Sequence, residues 1–227
     1  MKTALVTGSC RGFGRELALR FADAGVGVIL NGLDAGRLQS VAAEVRGRGA
    51  DCEVVAGDLT HEDTLGRLAE ASVRRDVDAL INNAGIYANE RFDQITDEAF
   101  RRMIDVNLIA PVLLIRRIWP IFARKQAGVI VNINSVAGKT GSAGESAYCA
   151  SKHGLRGFAR SLQFDATREH IRVIDVFLGT MNTGMVEGRR EPEKCIQTED
   201  AADLVFRLCK DYPSMRIEEV HVSRRRY

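Results

Sequence analysis

Short runs of continuous apolar residues alternate along this chain with longer segments whose apolar positions recur three and four apart. The runs are TALV (3–6), VGVIL (26–30), CEVVAGD (52–58), VDALINNAG (77–85), GVIVNINS (128–135), IRVIDVF (171–177) and RIEEVHV (216–222). Apolar runs of this length, closed by glycine or polar residues, predict strands buried on both faces. Between them, the segment 14–25 places Leu17, Phe21 and Ala24 at helical spacing and stops at Gly25, and Leu38, Val41, Ala42 and Val45 mark a second helix. Long helical patterns cover about 97–124, with Pro111 inside, and about 147–168, and a further helix runs from about Glu199 to Cys209.

Strands and helices in strict alternation predict a doubly wound α/β fold. We expect a parallel sheet of about seven strands with helices on both faces, in a single domain over residues 1–227. No internal repeat or low-complexity segment divides it. In such sheets ligands bind beyond the carboxyl ends of the strands, and the polar residues collect there. Gly8 to Gly14 follow the first strand, Asp58 the third, Asn82 to Gly85 the fourth and Ser135 the fifth.

Composition narrows the class. The chain has 227 residues, 45% hydrophobic and 27% charged, enough for a core without disulfides or metal. A formal net charge of +2 gives no electrostatic reason to expect nucleic acid. The cysteines, Cys10, Cys52, Cys149, Cys195 and Cys209, never form a CxxC pair and read as free thiols of a reducing compartment. The histidines, His61, His153, His170 and His221, are isolated, so no metal is assigned. The opening MKTALVTGS is too short an apolar run for a signal peptide, and Leu108 to Ile115 is too short for a membrane span. These features predict a cytoplasmic protein without a nucleic-acid or membrane partner.

The candidate chemistry sits in a few stretches. TGSCRGFG (7–14), between a strand and a helix, lets the backbone approach a pyrophosphate at a helix N-terminus, although its spacing is not GxGxxG. Asp58 can accept from an adenine amine or serve as a turn residue. NNAG (82–85) is either a tight turn or a support for a cofactor. Asn107 lies within a helix four residues before Pro111, whose missing N–H leaves the Asn107 carbonyl without its usual donor and open to a water. Tyr148 and Lys152 stand four apart in SAYCASK and share a helix face. An ammonium beside a phenol lowers its pKa; the same spacing also fits an ordinary exposed helix.

Taken in order, TGxxxGxG, NNAG, the Asn of DVN, a Ser after the fifth strand and YxxxK thirteen residues later resemble the short-chain dehydrogenase/reductase family over nearly the whole chain. The resemblance implies a Rossmann-type fold that binds NAD or NADP and moves a hydride to or from a carbonyl. It implies that Tyr148 is the proton donor or acceptor and that Lys152 lowers its pKa while holding the nicotinamide ribose. Ser135 then bonds the substrate oxygen, and Asn107 supports a water leading to Lys152. Gly8, Arg11, Gly12, Phe13 and Gly14 line the pyrophosphate turn, Asp58 and Leu59 meet the adenine, and Asn83, Ala84, Gly85, Gly179 and Thr183 complete the cofactor site. The small residues between Tyr148 and Lys152 are expected to leave room for cofactor and substrate. Bringing a phenol from about 10 to about 7 takes roughly 4 kcal/mol.

Two departures stand out. Leu178-Gly179 replaces the family's Pro-Gly ahead of a short substrate loop at about 179–198, and the chain ends SRRRY, read as a solvated tail, where relatives run into a Gly-rich tail. NADP is expected over NAD, because Asn31-Gly32-Leu33 occupies the end of the second strand, Asp34 comes late, and Arg11 can face a 2′-phosphate. The substrate is a carbonyl or alcohol, either a 3-oxoacyl thioester or a small or cyclic ketone. Apolar residues on more than one face of the helices at 97–124 and 147–168 predict a homo-oligomer, dimer or tetramer. The competing reading is a non-catalytic dinucleotide-sensing module on the same fold.

Overall fold

The computed structural model describes residues 1–182, 192–211 and 214–224. Seven strands, β1 (Thr3–Val6), β2 (Gly27–Gly32), β3 (Cys52–Ala56), β4 (Ala79–Asn82), β5 (Gly128–Ser135), β6 (Ile171–Leu178) and β7 (Glu219–Val222), form one sheet in the order β3-β2-β1-β4-β5-β6-β7. Every neighbouring pair is parallel. The chain winds outward from β1 in one direction and then from β4 in the other, which leaves a crevice where the order reverses.

The continuous apolar strands divide their side chains between two cores. Ala4, Val6, Val28, Leu30 and Ile81 face one side with α1 (Gly12–Asp23), α2 (Ala35–Gly47) and α7 (Thr198–Lys210). Leu5, Ile29, Leu80 and Ile130 face the other with α3 (Glu62–Arg74), α5 (Ala110–Lys125) and α6 (Ser146–Arg168). Strand residues alternate between faces, so burial on both sides demands apolar residues at every position. That is why these strands read as unbroken runs.

The long helical pattern near 97–124 is one helical stretch with an irregular centre. The helix α4 (Asp97–Ile104) passes into a π-helical turn, Asp105–Ile109, and then into α5. The 29 residues Asp97–Lys125 are long and apolar enough to cross a membrane by length and composition alone, yet half of the apolar window is buried in this fold. Leu178, in place of the family's proline, is paired in the sheet with Ser135 on one side and Val222 on the other. Thr183 and the rest of 183–191 in the expected substrate loop lie outside the described residues, as do Arg225 and Arg226 of the tail.

Candidate active site

The carboxyl ends of β1, β2, β4, β5 and β6 open into one cleft of about 1140 Å³, lined by residues from the glycine turn at one end to Tyr148 and Met181 at the other. The turn after β1 is built for close backbone approach. Gly8 and Gly12 adopt φ of +66° and +53°, conformations that favour glycine. A Cβ on Gly14 would fall 2.2 Å from the Gly8 carbonyl oxygen, and one on Gly8 would fall 2.8 Å from Ala84 Cα. The first turn of α1 carries neither a side-chain cap nor an acidic residue, so its N–H groups are available to an anion. These features fit the diphosphate of a dinucleotide, with Gly12, Phe13 and Gly14 as its cradle.

NNAG holds that glycine turn in place. Asn83 Nδ2 donates to the carbonyls of Thr7 (2.9 Å) and Gly8 (3.2 Å). The Thr7 hydroxyl accepts from the main-chain N–H groups of Asn83 and Ala84, each at 3.0 Å. Gly85 closes the strand end, where an added Cβ would stand 3.2 Å from Asn107 Oδ1.

At the far end of this half, Asp58 lines the cleft but does not stand alone. Arg102 Nη2 donates to it at 2.5 Å, and the N–H and hydroxyl of Thr60 donate at 2.9 and 2.8 Å. Against its burial, these bonds hold the Asp58 carboxyl down at about 2. Leu59 is buried beside it. Arg102 has no counterpart in the sequence reading, because its partner lies 44 residues away. At the end of β2, Asp34 caps α2 by accepting from the Arg37 N–H at 3.0 Å, and the Arg37 guanidinium pairs with it at 3.2 Å. Arg11 and Arg37 thus both line the cleft where β2 ends; Arg37 was not anticipated.

The catalytic candidates meet at the other end. Ser135 ends β5, with its N–H held by Asn134 Oδ1 at 2.8 Å and its hydroxyl accepting from the Ala137 N–H at 3.2 Å. Tyr148 and Lys152 occupy the first turns of α6. The Tyr148 ring packs edge-on to Tyr87, with centroids 5.1 Å apart at 88°, and Tyr87 donates its hydroxyl proton to Glu145 at 2.8 Å. Lys152 is buried and its Nζ donates to the Ile133 carbonyl at 2.9 Å.

Two expectations need correction. The phenol is not lowered toward neutrality in this structure. Burial pushes Tyr148 up to about 12, opposed by a hydrogen bond with Ser135 and reinforced by the Glu145 charge. Lys152 turns its ammonium to the Ile133 carbonyl, 5.9 Å from the centre of the Tyr148 ring, and burial lowers it to about 8. The small residues between them do not all make room for ligands either. Ser151 is fully buried and accepts from Asn107 Nδ2 at 3.1 Å, joining α6 to the π-helical turn. The side chain of Asn107 is itself bonded to the main chain of Ile86. Its amide is thus committed to protein partners, in a turn where the usual helical bonding is interrupted.

Relatives carry the same architecture. A dehydrogenase of Streptomyces exfoliatus, 1-deoxy-11-beta-hydroxypentalenate dehydrogenase, is 34% identical over 215 residues, covering 90% of this chain and 78% of its own length. The 3-oxoacyl-(acyl-carrier-protein) reductase FabG of Aquifex aeolicus is 31% identical over 237 residues, covering 98% of this chain and 96% of its own. The crystal structure of a metagenomic short-chain oxidoreductase in complex with NADP superposes with a TM-score of 0.85 at 32% identity, over 97% of this chain and 96% of that one. The family model for short chain dehydrogenases matches residues 2–194. A match that runs unbroken from β1 through β6 means that the chain belongs to the short-chain dehydrogenase family.

Proposed function

We infer that this protein is an NAD(P)-dependent oxidoreductase acting on a carbonyl or alcohol, with Tyr148 as proton donor in reduction and acceptor in oxidation. The observation that carries this reading is the convergence of Ser135, Tyr148 and Lys152 at one end of a cleft whose other end is the uncapped glycine turn. Bound NAD(P) supplies or accepts the hydride. The developing alkoxide needs a proton and hydrogen-bond donors. Ser135 and Tyr148 present two hydroxyls for that oxygen. Lys152 holds a positive charge in a water-poor site, where it counts for more toward a developing alkoxide than it would in solvent. Asn107 fixes the backbone of Ile86 and seats α6 through Ser151, which holds the tyrosine-bearing helix against the cleft.

NADP is the preferred cofactor in this reading. The carboxylate of Asp34, the one acid at the end of β2, is committed to its helix and to Arg37, while Arg11 and Arg37 offer two cations to a 2′-phosphate. The bound NADP of the metagenomic relative supports the same choice. At the substrate end, Glu145 faces the cleft beside Tyr148. A carboxylate there favours a neutral substrate over one with an anionic group next to its carbonyl, a requirement that a 3-oxoacyl thioester and a small or cyclic ketone both meet. The protein works as a homo-oligomer, since Ile109 and Phe164 leave apolar surface at 42% and 72% exposure on the helices named above.

The test is a panel of 3-oxoacyl thioesters and small and cyclic ketones, offered with NADPH and with NADH while nicotinamide absorbance is followed. Oxidation of NADPH with at least one neutral ketone is expected. Tight dinucleotide binding without turnover of any carbonyl or alcohol, in either direction, would instead identify a binding module.

A further inference from the structure

Behind Lys152 the sheet carries an acid that the chemistry above leaves unused. Asp175 lies in the middle of β6 with 1% exposure, and an acid so buried is costly unless its oxygens are bonded and its charge is balanced. Asparagine amides converge on it. Asn132 Nδ2 donates to Oδ1 at 2.9 Å, and Asn134 Nδ2 lies 3.5 Å from Oδ2.

A main-chain neighbour fixes the direction of one of these bonds. Asn134 Oδ1 accepts the Ser135 N–H, which turns the Asn134 nitrogen toward Asp175 and toward the Lys152 carbonyl at 3.3 Å. Asn82 Nδ2 donates to Asn132 Oδ1 at 2.9 Å, which turns the Asn132 nitrogen toward the carboxyl group. Donors from β5 thus point at both carboxyl oxygens. An ionised carboxylate accepts at both oxygens, whereas the acid form holds a proton for which these nitrogens offer no acceptor. The bonds from Asn82 through Asn132 to Asp175 also polarise one another in favour of the ionised form.

Charge balance comes from α6. Lys152 and Arg156 face Asp175 from that helix, and Glu219 faces it from β7, where it is also the register partner of Asp175. Arg156 is taken up by Glu219 in a paired contact at 2.8 and 3.0 Å. His221, further along β7, lies 3.4 Å from Glu219. The strand β5 contributes only the two amides. Among the described residues, Asp175 is the one carboxylate whose charge raises the basicity of Lys152.

We propose that Asp175 is a positioning residue for the reaction described above, a buried carboxylate that keeps Lys152 positively charged and, through Asn134, ties the Lys152 main chain to the Ser135 strand end. The proposal rests on the oxidoreductase reading for its purpose, but not for its physical content. Burial raises Asp175 to about 7 and lowers Lys152 to about 8. The carboxylate is therefore the charge lost as the pH falls and the ammonium the one lost as it rises.

Asp175→Asn removes the charge and keeps the shape. In the variant, kcat/KM at pH 8 is expected to fall about tenfold, and by less as the pH is lowered and Asp175 takes up its proton in the native protein. An equal loss at every pH would mark Asp175 as structural only and overturn the proposal. A second reading needs no turnover. With ε-carbon-labelled lysine in the free protein, the Lys152 resonance, identified by its absence in Lys152→Met, is expected to titrate at lower pH in Asp175→Asn; an unchanged midpoint overturns the proposal. If Asp175→Asn does not fold, carboxyl-labelled aspartate in the native protein decides. An Asp175 carboxyl ionised by pH 8 supports the proposal, and one still protonated at pH 9 refutes it. Because the resonance measurements are made without substrate, they fail separately from the assignment of the reaction.

Discussion

Both polar atoms of the Asn107 side chain close on Ile86, with Oδ1 accepting its N–H at 2.8 Å and Nδ2 donating to its carbonyl at 2.9 Å. This pair of bonds ties the segment after β4 to the π-helical turn. Asn107→Ala leaves two main-chain groups of Ile86 without these partners, at about 1–3 kcal/mol for each group that stays buried. Urea unfolding should show a clear loss of stability together with reduced turnover. Asn107→Asp, which keeps the acceptor and loses the donor, should fall between the variant and the native protein.

Cofactor choice should respond to the arginines at the end of β2. Arg37→Ala frees Asp34 from its ion pair and removes one cation from the cleft. The ratio of kcat/KM for NADPH to that for NADH should drop about tenfold, the loss of one charge-assisted hydrogen bond, with the NADH value itself little changed. A ratio that does not move would place the 2′-phosphate elsewhere.

How far the sequence carries the site depends on how local each signal is. Tyr148, Lys152 and Ser135 were legible because each keeps its place by spacing along one helix or at one strand end. The strands were legible because burial on both faces forces unbroken apolar runs. The π-helical turn was not, since it is held by bonds from Asn107 to Ile86 and Ser151, 21 and 44 residues away. Asp58 was assigned to the cleft without its partner for the same reason. Asp175 sits inside IRVIDVF as a lone polar residue, and only the pairing of β5 with β6 brings its asparagines beside it. The phenol of Tyr148 was judged by its neighbour in sequence, whereas burial, which depends on the whole fold, sets its direction.

Acid should weaken the fold through Asp58. Its carboxyl is held at about 2, below the ordinary 3.8, so the stability it contributes is present above the ordinary value and is lost as pH falls from about 4 toward 2. Arg102 is partly exposed, and solvent screening limits the pair to the order of 1 kcal/mol. Asp58→Asn should therefore lower the urea midpoint at pH 6, and the gap to the native protein should narrow as the pH is taken below 4. A gap independent of pH would mean that the ion pair is not its source.

Assembly should depend on α6. Phe164, 72% exposed on that helix, is expected to be covered by a second copy, so sedimentation should give a dimer or tetramer and Phe164→Asp should shift it toward the monomer. An active native species of 25.0 kDa at micromolar concentration would contradict this.

The most direct test of the account is the rate of NADPH oxidation by Tyr148→Phe with a ketone that the native enzyme reduces, measured beside the cofactor dissociation constant. The substitution removes one hydroxyl and keeps the ring that packs edge-on to Tyr87. Turnover should fall by about 10²–10⁴-fold, the contribution of a positioned general acid, with cofactor affinity and folding nearly unchanged. A variant that keeps native turnover would contradict the assignment of Tyr148 as the proton donor.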